Sequence, residues 1–342
     1  MATAEFQTHS TGNFPARRRD MTHPLVSVHL LTYNHVKFIR QSIESVIAQE
    51  TTFPFEVIIG DDCSTDGTSA IVDEYAARYP ELVRVVRGEK NGGPQPNSIR
   101  ILENCRGKYM AALEGDDYWI DPYKLQKQAD FMEANPDFSI CFTNTRVEFF
   151  DGEGVPYLLN GNLEKDVFEL KDLIGEKEIW FMGTATLFYT MSSIFPVQPW
   201  FYKTKSGDIP MIMLAARYGK IKFLPDVTAA YRRHAAGASN TDHKDDAVFL
   251  ENRIMMYTNL NRDTGYRFNA LFKRNLGGWY YLLLNSRQLK DRYFKRLRTA
   301  FTYISLMYPD IPHLKEVIRD HLVPAWVMKA SRWVRWKMGW IK

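Results

Sequence analysis

LVSVHLLT (residues 25–32) is an apolar run rich in branched side chains, and it gives way at once to the polar Tyr33-Asn34. Apolar side chains on both faces suit a strand buried on both faces, as strands of parallel sheets are. Working outward, Phe38, Ile39, Ile43, Val46 and Ile47 recur at helical spacing, and Asn34 is placed to cap that helix. FEVIIG (55–60) reads as a second buried strand. A helix then follows from Gly67, carrying Ala70, Ile71, Tyr75 and Tyr79, and Pro80 ends it. LVRVV (82–86) is a third strand, Asn91-Gly92-Gly93-Pro94 a loop, Ile99 to Leu102 part of a short helix, and KYMAALEG (108–115) a fourth strand. Strands alternating with helices predict an open, mostly parallel α/β sheet with helices on both faces. Such sheets bind ligands at the carboxyl ends of their strands.

Further on, FSICFTNTRVEFF (138–150) predicts another strand, with a turn at Asp151-Gly152, and TATLFYT (184–190) suits one more. GDIPMIMLAARYG (207–219) reads as a helix stopped by Gly219, residues 151–180 as a variable excursion, and 245–342 as helical, basic and aromatic. With 342 residues the chain accommodates one large α/β domain with extensions, or two domains. Its net charge of +4 is too small to imply nucleic acid, and none is expected as a partner. Cys63, Cys105 and Cys141 form no CxxC pair, which argues against a disulfide framework or a zinc site and favours a reducing cytoplasm. No apolar run is long enough for a transmembrane helix.

The predicted strand ends carry the chemistry. Strand one ends in Thr32-Tyr33-Asn34, strand two in Asp61-Asp62-Cys63-Ser64-Thr65-Asp66-Gly67-Thr68, and strand four in Glu114-Gly115-Asp116-Asp117-Tyr118-Trp119. Three carboxylates within four residues repel one another and ask for a hard divalent cation, Mn2+ or Mg2+. Asp61 or Asp62 is placed to accept from a nucleobase N–H or a ribose hydroxyl, while Ser64 and Asp66 suit turn and cap chemistry.

Together, PLVSVHLLTYN, VIIGDDCSTDGT and AALEGDDYWIDPYKLQKQ resemble the family 2 glycosyltransferases over about residues 24–240. The resemblance implies the GT-A fold, a Rossmann-like α/β domain, with a helical C-terminal extension here. It implies Thr32, Tyr33, Asn34, Asp61 and Asp62 around the nucleoside of a nucleotide-diphosphate sugar, with a UDP-sugar favoured. It implies Asp116 as metal ligand, with Glu114 and Asp117 beside it; Glu114 stands where most members carry Asp, which favours Asp116. It implies inversion at the anomeric carbon by one general base, for which Asp208 is the acid of KSGDIPMIMLAARYGKIKFL. AAYRRHAAGAS (229–239) resembles the family's YRxHxxGxS segment. That brings His234 to the metal or phosphate and Arg232 or Arg233 to the diphosphate, with Gly237, Ala238 and Ser239 in a closing loop. Trp119 and Trp180 suit stacking on a sugar face, or the core.

The expected division is a mobile lead (1–22), a catalytic domain (23–240, with a nucleotide half 23–120 and an acceptor half 121–240) and a helical extension (241–342). Residues 321–342 hold five cations, four tryptophans and no acid, a composition suited to an anionic membrane surface. The implied activity is sugar transfer to a glycan or lipid-linked acceptor in bacterial surface polysaccharide synthesis, in the cytoplasm or peripherally at the inner membrane. Two rivals are a nucleotidyltransferase, whose Gly-rich loop after strand one is missing, and an inactive membrane-associated binding protein. A phosphoaspartate phosphatase is disfavoured, because Asp116-Asp117 lacks the DxDx[TV] spacing.

Overall fold

The computed structural model describes residues 23–150, 152, 154–175, 181–235, 237 and 246–323. The first half follows the expected alternation: β1 (Val26–Thr32), α1 (Ile39–Ile47), β2 (Phe55–Asp61), α2 (Thr68–Arg78), β3 (Val83–Val86), α3 (Pro94–Asn104) and β4 (Tyr109–Glu114). β1 lies between β2 and β4, parallel to both, and β3 extends the parallel set beyond β2. The register pairs Thr32 with Asp61 and Leu31 with Glu114, so the ends of β1, β2 and β4 stand level.

The second half of the sheet domain adds β5 (Tyr118–Trp119), α4 (Lys124–Ala134), β6 (Phe138–Phe149), β7 (Tyr157–Leu158), β8 (Val167–Phe168), α5 (Leu170–Leu173), β9 (Phe188–Thr190), α6 (Met191–Ile194), α7 (Asp208–Ala215) and β10 (Lys220–Arg233). The ten-stranded sheet runs β3-β2-β1-β4-β9-β6-β10-β5, with β7 on β6 and β8 on β10. β9 is antiparallel to both β4 and β6 and joins the two parallel groups.

Two sequence expectations change here. TATLFYT is a strand only from Phe188, because Thr186 turns back and gives both its N–H and its hydroxyl to the Gly183 carbonyl. β10, at 14 residues, was not expected as a strand at all. Pro225 and charged residues interrupt its pattern, and the pairing with β6 slips between Phe223 and Val227. Proline inside a strand fits such an irregularity.

The sheet is covered on both faces. One cluster holds Val26, Val28 and Leu30 of β1 against Ile39, Ile43 and Val46 of α1. The other gathers Ile99 and Leu102 of α3 with Met211 to Ala215 of α7 and helices further along the chain. Each fully buried Val, Leu or Ile contributes roughly 1.5–3 kcal/mol. On the α3 side, His29 replaces an apolar residue, its Nε2 2.9 Å from Ser98 Oγ and 3.1 Å from the Ser98 carbonyl. Burial pushes its pKa down to about 4, so it sits there neutral.

The extension is helical as expected: α8 (Ala247–Asp263), α9 (Asn269–Asn285), α10 (Tyr293–Met307) and α11 (Leu314–Val317). Asp246 caps α8 by accepting from Val248 N and Phe249 N. Polar ties anchor it to the sheet domain, with Trp200 Nε1 donating to Asp263 Oδ2 and Asn275 Nδ2 to the Gly175 carbonyl. A small third cluster of Leu284, Ala300, Tyr303 and Val317 holds its far end. Among the described residues no helix is long and apolar enough to cross a membrane. The lead over 1–22, Trp180, Ala238, Ser239 and the tryptophans of the C-terminal stretch lie outside the described residues.

Candidate active site

The β1 and β2 ends are laced together by side chains. Asn34 adopts a left-handed backbone (φ 55°) and does not cap α1, which begins after Phe38 without a side-chain cap. Its N–H donates instead to Ser64 Oγ, and its Oδ1 accepts from Thr65 N at 2.8 Å. Asp66 adds a second tie, accepting from Val36 N and from Thr68 N. Thr32 is buried, while Tyr33 beside it is 42% exposed.

Asp61 and Asp62 are both buried, and they do different things. Asp61 accepts from Ser64 N, from the Ser69 hydroxyl and from Arg87 Nε. Burial alone would raise its pKa, but these donors together hold it below the usual carboxylate range. Asp62 accepts from Gly92 N (3.0 Å) and Gly93 N (2.7 Å), pulling the Asn91–Pro94 loop over the strand end. That loop leads into Gln95, whose Nε2 lies against Gly207, the residue before Asp208.

The β4 end makes the centre of the site. A Cβ at Gly115 would lie 2.6 Å from Thr32 Oγ1 and 2.8 Å from His35 Nδ1, so only glycine lets β1 and β4 close here. The next residue, Asp116, places Oδ2 3.1 Å from His234 Nε2 and 3.8 Å from His35 Nε2. Asp117 is 1% exposed and accepts from Arg232 N at 2.9 Å. Its carboxyl is pushed well above the carboxylate range by burial, and further by the charges on Asp116 and Glu114. Glu114 behaves alike: burial first, then Asp116 and Asp208, raise its pKa to about 8. Asp208, at the start of α7, is near enough for its charge to be felt at Glu114. Its Oδ1 accepts from Ser206 Oγ and from Ile209 N, each at 2.8 Å, and its Oδ2 has no partner among the described residues.

A family model described as glycosyl transferase family 2 matches residues 27–237, which spans all of these groups. The chain belongs to that family. A Mycobacterium tuberculosis protein named only as uncharacterized, Rv1520, is 34% identical over 232 residues, covering 67% of this chain and 64% of its own length. The match therefore spans slightly less than two thirds of that relative. Among solved structures, S. aureus TarS 1–349 in complex with UDP resembles the chain with a TM-score of 0.59 at 20% identity, covering 84% of this chain and 82% of that one. Mannosyltransferase PcManGT from Pyrobaculum calidifontis, in complex with GDP-Man and Mn2+, has a TM-score of 0.51 at 17% identity, covering 94% and 84%. At such identities the likeness is one of fold, the GT-A arrangement of sheet and helices.

Within this family 2 domain, several expected site residues are placed differently. Trp119 is a core residue rather than a sugar platform: it is 4% exposed, donates Nε1 to the Ala185 carbonyl, and has Lys124 Nζ 4.4 Å from its ring centre. Arg232 points inward and not to open cleft. One guanidinium nitrogen donates to the Asp116 carbonyl at 2.6 Å, another to Gln41 Oε1, and the group lies over the Tyr118 ring at 4.2 Å. Arg233 is half-buried beside Phe149. Residues not singled out from sequence also matter: His35 beside Asp116, Arg87 on Asp61, and Gly92-Gly93 on Asp62. His35 directly follows the TYN motif, and its chemistry was the available signal.

Among the described residues no three His, Cys, Asp or Glu side chains form a metal cage by themselves. A full cage is not what Mg2+ or Mn2+ needs beside a diphosphate, where one or two protein ligands suffice. Asp116 Oδ2 and His234 Nε2 face each other, and burial first, then the charge on Asp116, raises the pKa of the Glu114 and Asp117 carboxyls beside them. This donor set fits a divalent cation shared with substrate phosphates.

Proposed function

We propose that this family 2 protein is an inverting glycosyltransferase that moves a sugar from a nucleotide-diphosphate sugar, a UDP-sugar in preference, to a hydroxyl of a glycan or lipid-linked acceptor. The observation that carries this reading is Glu114 and Asp116 together at the end of β4, with His234 on Asp116 and the charge of Asp208, at the start of α7, felt at Glu114. UDP in the TarS complex and GDP-Man with Mn2+ in the PcManGT complex support a nucleotide-sugar donor.

Thr32, Tyr33 and Asn34 would face the nucleoside, with Asp61 and Asp62 shaping its wall through the loops they hold. Asp116 and His234 would hold Mn2+ or Mg2+, with Glu114 close by and Asp117 fixing β10 beneath. What the ion supplies when bound is positive charge against the departing diphosphate. Arg232 keeps the Asp116 backbone in place, and Arg233 remains the cation for the outer phosphate. Asp208 accepts the proton of the acceptor hydroxyl on its free Oδ2, while Ser206 and Ile209 fix the carboxylate through Oδ1. One displacement with one base inverts the anomeric centre and needs no covalent intermediate.

The proposed division of labour is a nucleotide half over 23–120, an acceptor half over 121–240 and a helical extension over 241–342, working in bacterial surface polysaccharide synthesis on the cytoplasmic side. The basic, tryptophan-rich 321–342 would touch the inner leaflet. Thermal unfolding with a panel of nucleoside diphosphates, with and without Mn2+, tests the reading, because a ligand of the folded state raises the melting temperature. The correct nucleotide gives a Mn2+-dependent rise that Asp116→Ala abolishes. A full rise in Asp116→Ala refutes its role.

A further inference from the structure

α10 turns a row of aromatic side chains to solvent. Phe294 is 84% exposed, Phe301 60%, and Tyr308, immediately past the last helical residue, 76%. They recur every seventh position, two helical turns apart, so they lie along one face. The row runs about 21 Å at 1.5 Å per residue. Single exposed apolar residues are ordinary, but three large rings in line on a surface helix are not.

The charges around this row have one sign. From Arg287 to Arg298 there are six cations and one acid, Asp291, and Tyr293–Met307 contains no acid. Arg298 is exposed and falls on the aromatic face, about 40° round the helix from Phe294 at 100° per residue. Lys290 and Arg292, just before the helix, are exposed too. None of these three has an ion-pair partner among the described residues, whereas Lys295, on the flank, is taken up by Glu251. The inner side of the helix is already used, with Thr299, Ala300 and Tyr303 buried against the end of the extension.

We propose that this face of α10 docks on an anionic lipid surface, with Phe294, Phe301 and Tyr308 entering the interface and Lys290, Arg292 and Arg298 meeting lipid phosphates. Rings in a row between uncompensated cations match the boundary between headgroups and acyl chains. A second copy of the chain would bring the same cations against themselves, which disfavours self-association through this face. The same chain carries a further basic, tryptophan-rich stretch in its sequence beyond Val323, a composition of the same kind. The proposal extends the membrane contact suggested for 321–342 and does not depend on the nucleotide-sugar reading.

The test is flotation of the full chain with phosphatidylglycerol-containing vesicles and with phosphatidylcholine vesicles, at low and high salt. Wild type is expected to bind the anionic vesicles at least about tenfold better, with binding weakened by salt. Phe294→Ser/Phe301→Ser/Tyr308→Ser should lose binding about tenfold while keeping its melting temperature and its nucleotide response, because all three side chains are exposed. Lys290→Gln/Arg292→Gln/Arg298→Gln should flatten the salt dependence. A chain with the four tail tryptophans changed to serine separates the two surfaces. Loss only in that chain, with the α10 variants binding normally, overturns the proposal. So does failure of wild type to bind, or an aromatic variant that changes oligomeric state and leaves lipid binding intact.

Discussion

His234 Nε2 lies 3.1 Å from Asp116 Oδ2, joining the end of β10 to the turn after β4 across 118 residues of chain. His234 is 8% exposed and packs on the Phe38 ring at 4.8 Å, so its direction is set by packing. A histidine held in this way is pre-aimed at whatever Asp116 binds. His234→Ala should raise the Mn2+ concentration needed for half-maximal nucleotide release by at least roughly 10- to 100-fold, which is the cost of losing even an outer partner of a metal ligand. Titrating activity against Mn2+ reads this directly. An unchanged half-saturation point in the variant separates His234 from the metal.

Asp208→Asn tests the proposed base. Asparagine keeps an oxygen for Ser206 Oγ and Ile209 N, so the start of α7 is preserved, while the side chain can no longer take a proton. Transfer should fall by roughly 10²- to 10⁴-fold. The Mn2+-dependent melting shift with the nucleotide should stay, because Asp208 is not asked to bind it. Parallel loss of both would mean that Asp208 shapes the donor site instead.

Gly115→Ala tests the closure of β1 on β4. The added methyl would stand 2.6 Å from Thr32 Oγ1, and the neighbouring His35 ring leaves it no escape. Overpacking of this kind costs typically about 1–3 kcal/mol. Urea unfolding should show that loss, and the displaced Asp116 should weaken the Mn2+ response. A variant as stable and as active as wild type would show that the strand ends give way easily.

Much of this was legible in the residues. Apolar runs ending in polar clusters located β1 to β4 and put the acids at their carboxyl ends. Asp116 and Asp208 were singled out because a resemblance supplied the order of motifs. Pairings between distant polar groups were not legible. Nothing local in Asp62 says that it will accept from Gly92 and Gly93, or in Arg232 that it will turn inward to Gln41 and the Asp116 carbonyl. Those depend on strand register and on which face of β10 meets the β4 turn, both set by the sheet as a whole. β10 itself was hidden because Pro225 and Asp226 break the two-residue alternation. Trp119 was ambiguous for a related reason: an aromatic beside an acidic turn can face the cleft or the core, and the short pairing of β5 with β10 decides for the core.

Lys124 gives the last test, and it concerns the frame behind the acidic turn. Its side chain is wholly buried, its Nζ 2.6 Å from Gln128 Oε1 and 4.4 Å from the centre of the Trp119 ring. Burial pushes its pKa down from 10.5 to about 7. The unfolded chain therefore binds a proton more readily than the folded chain between those two values. Stability then rises with pH across that window, and the full cost of burial is felt below it. Between about pH 7 and about pH 9.5 wild type should gain about 3 kcal/mol relative to Lys124→Met, at about 1.4 kcal/mol per pKa unit. Methionine has no charge to bury, so the comparison cancels the other groups that titrate in this range. Urea unfolding of both proteins at the two pH values measures the difference. A constant gap between them would mean that Lys124 stays charged, held by Gln128 and the Trp119 ring, and that the acidic turn rests on a buried cation.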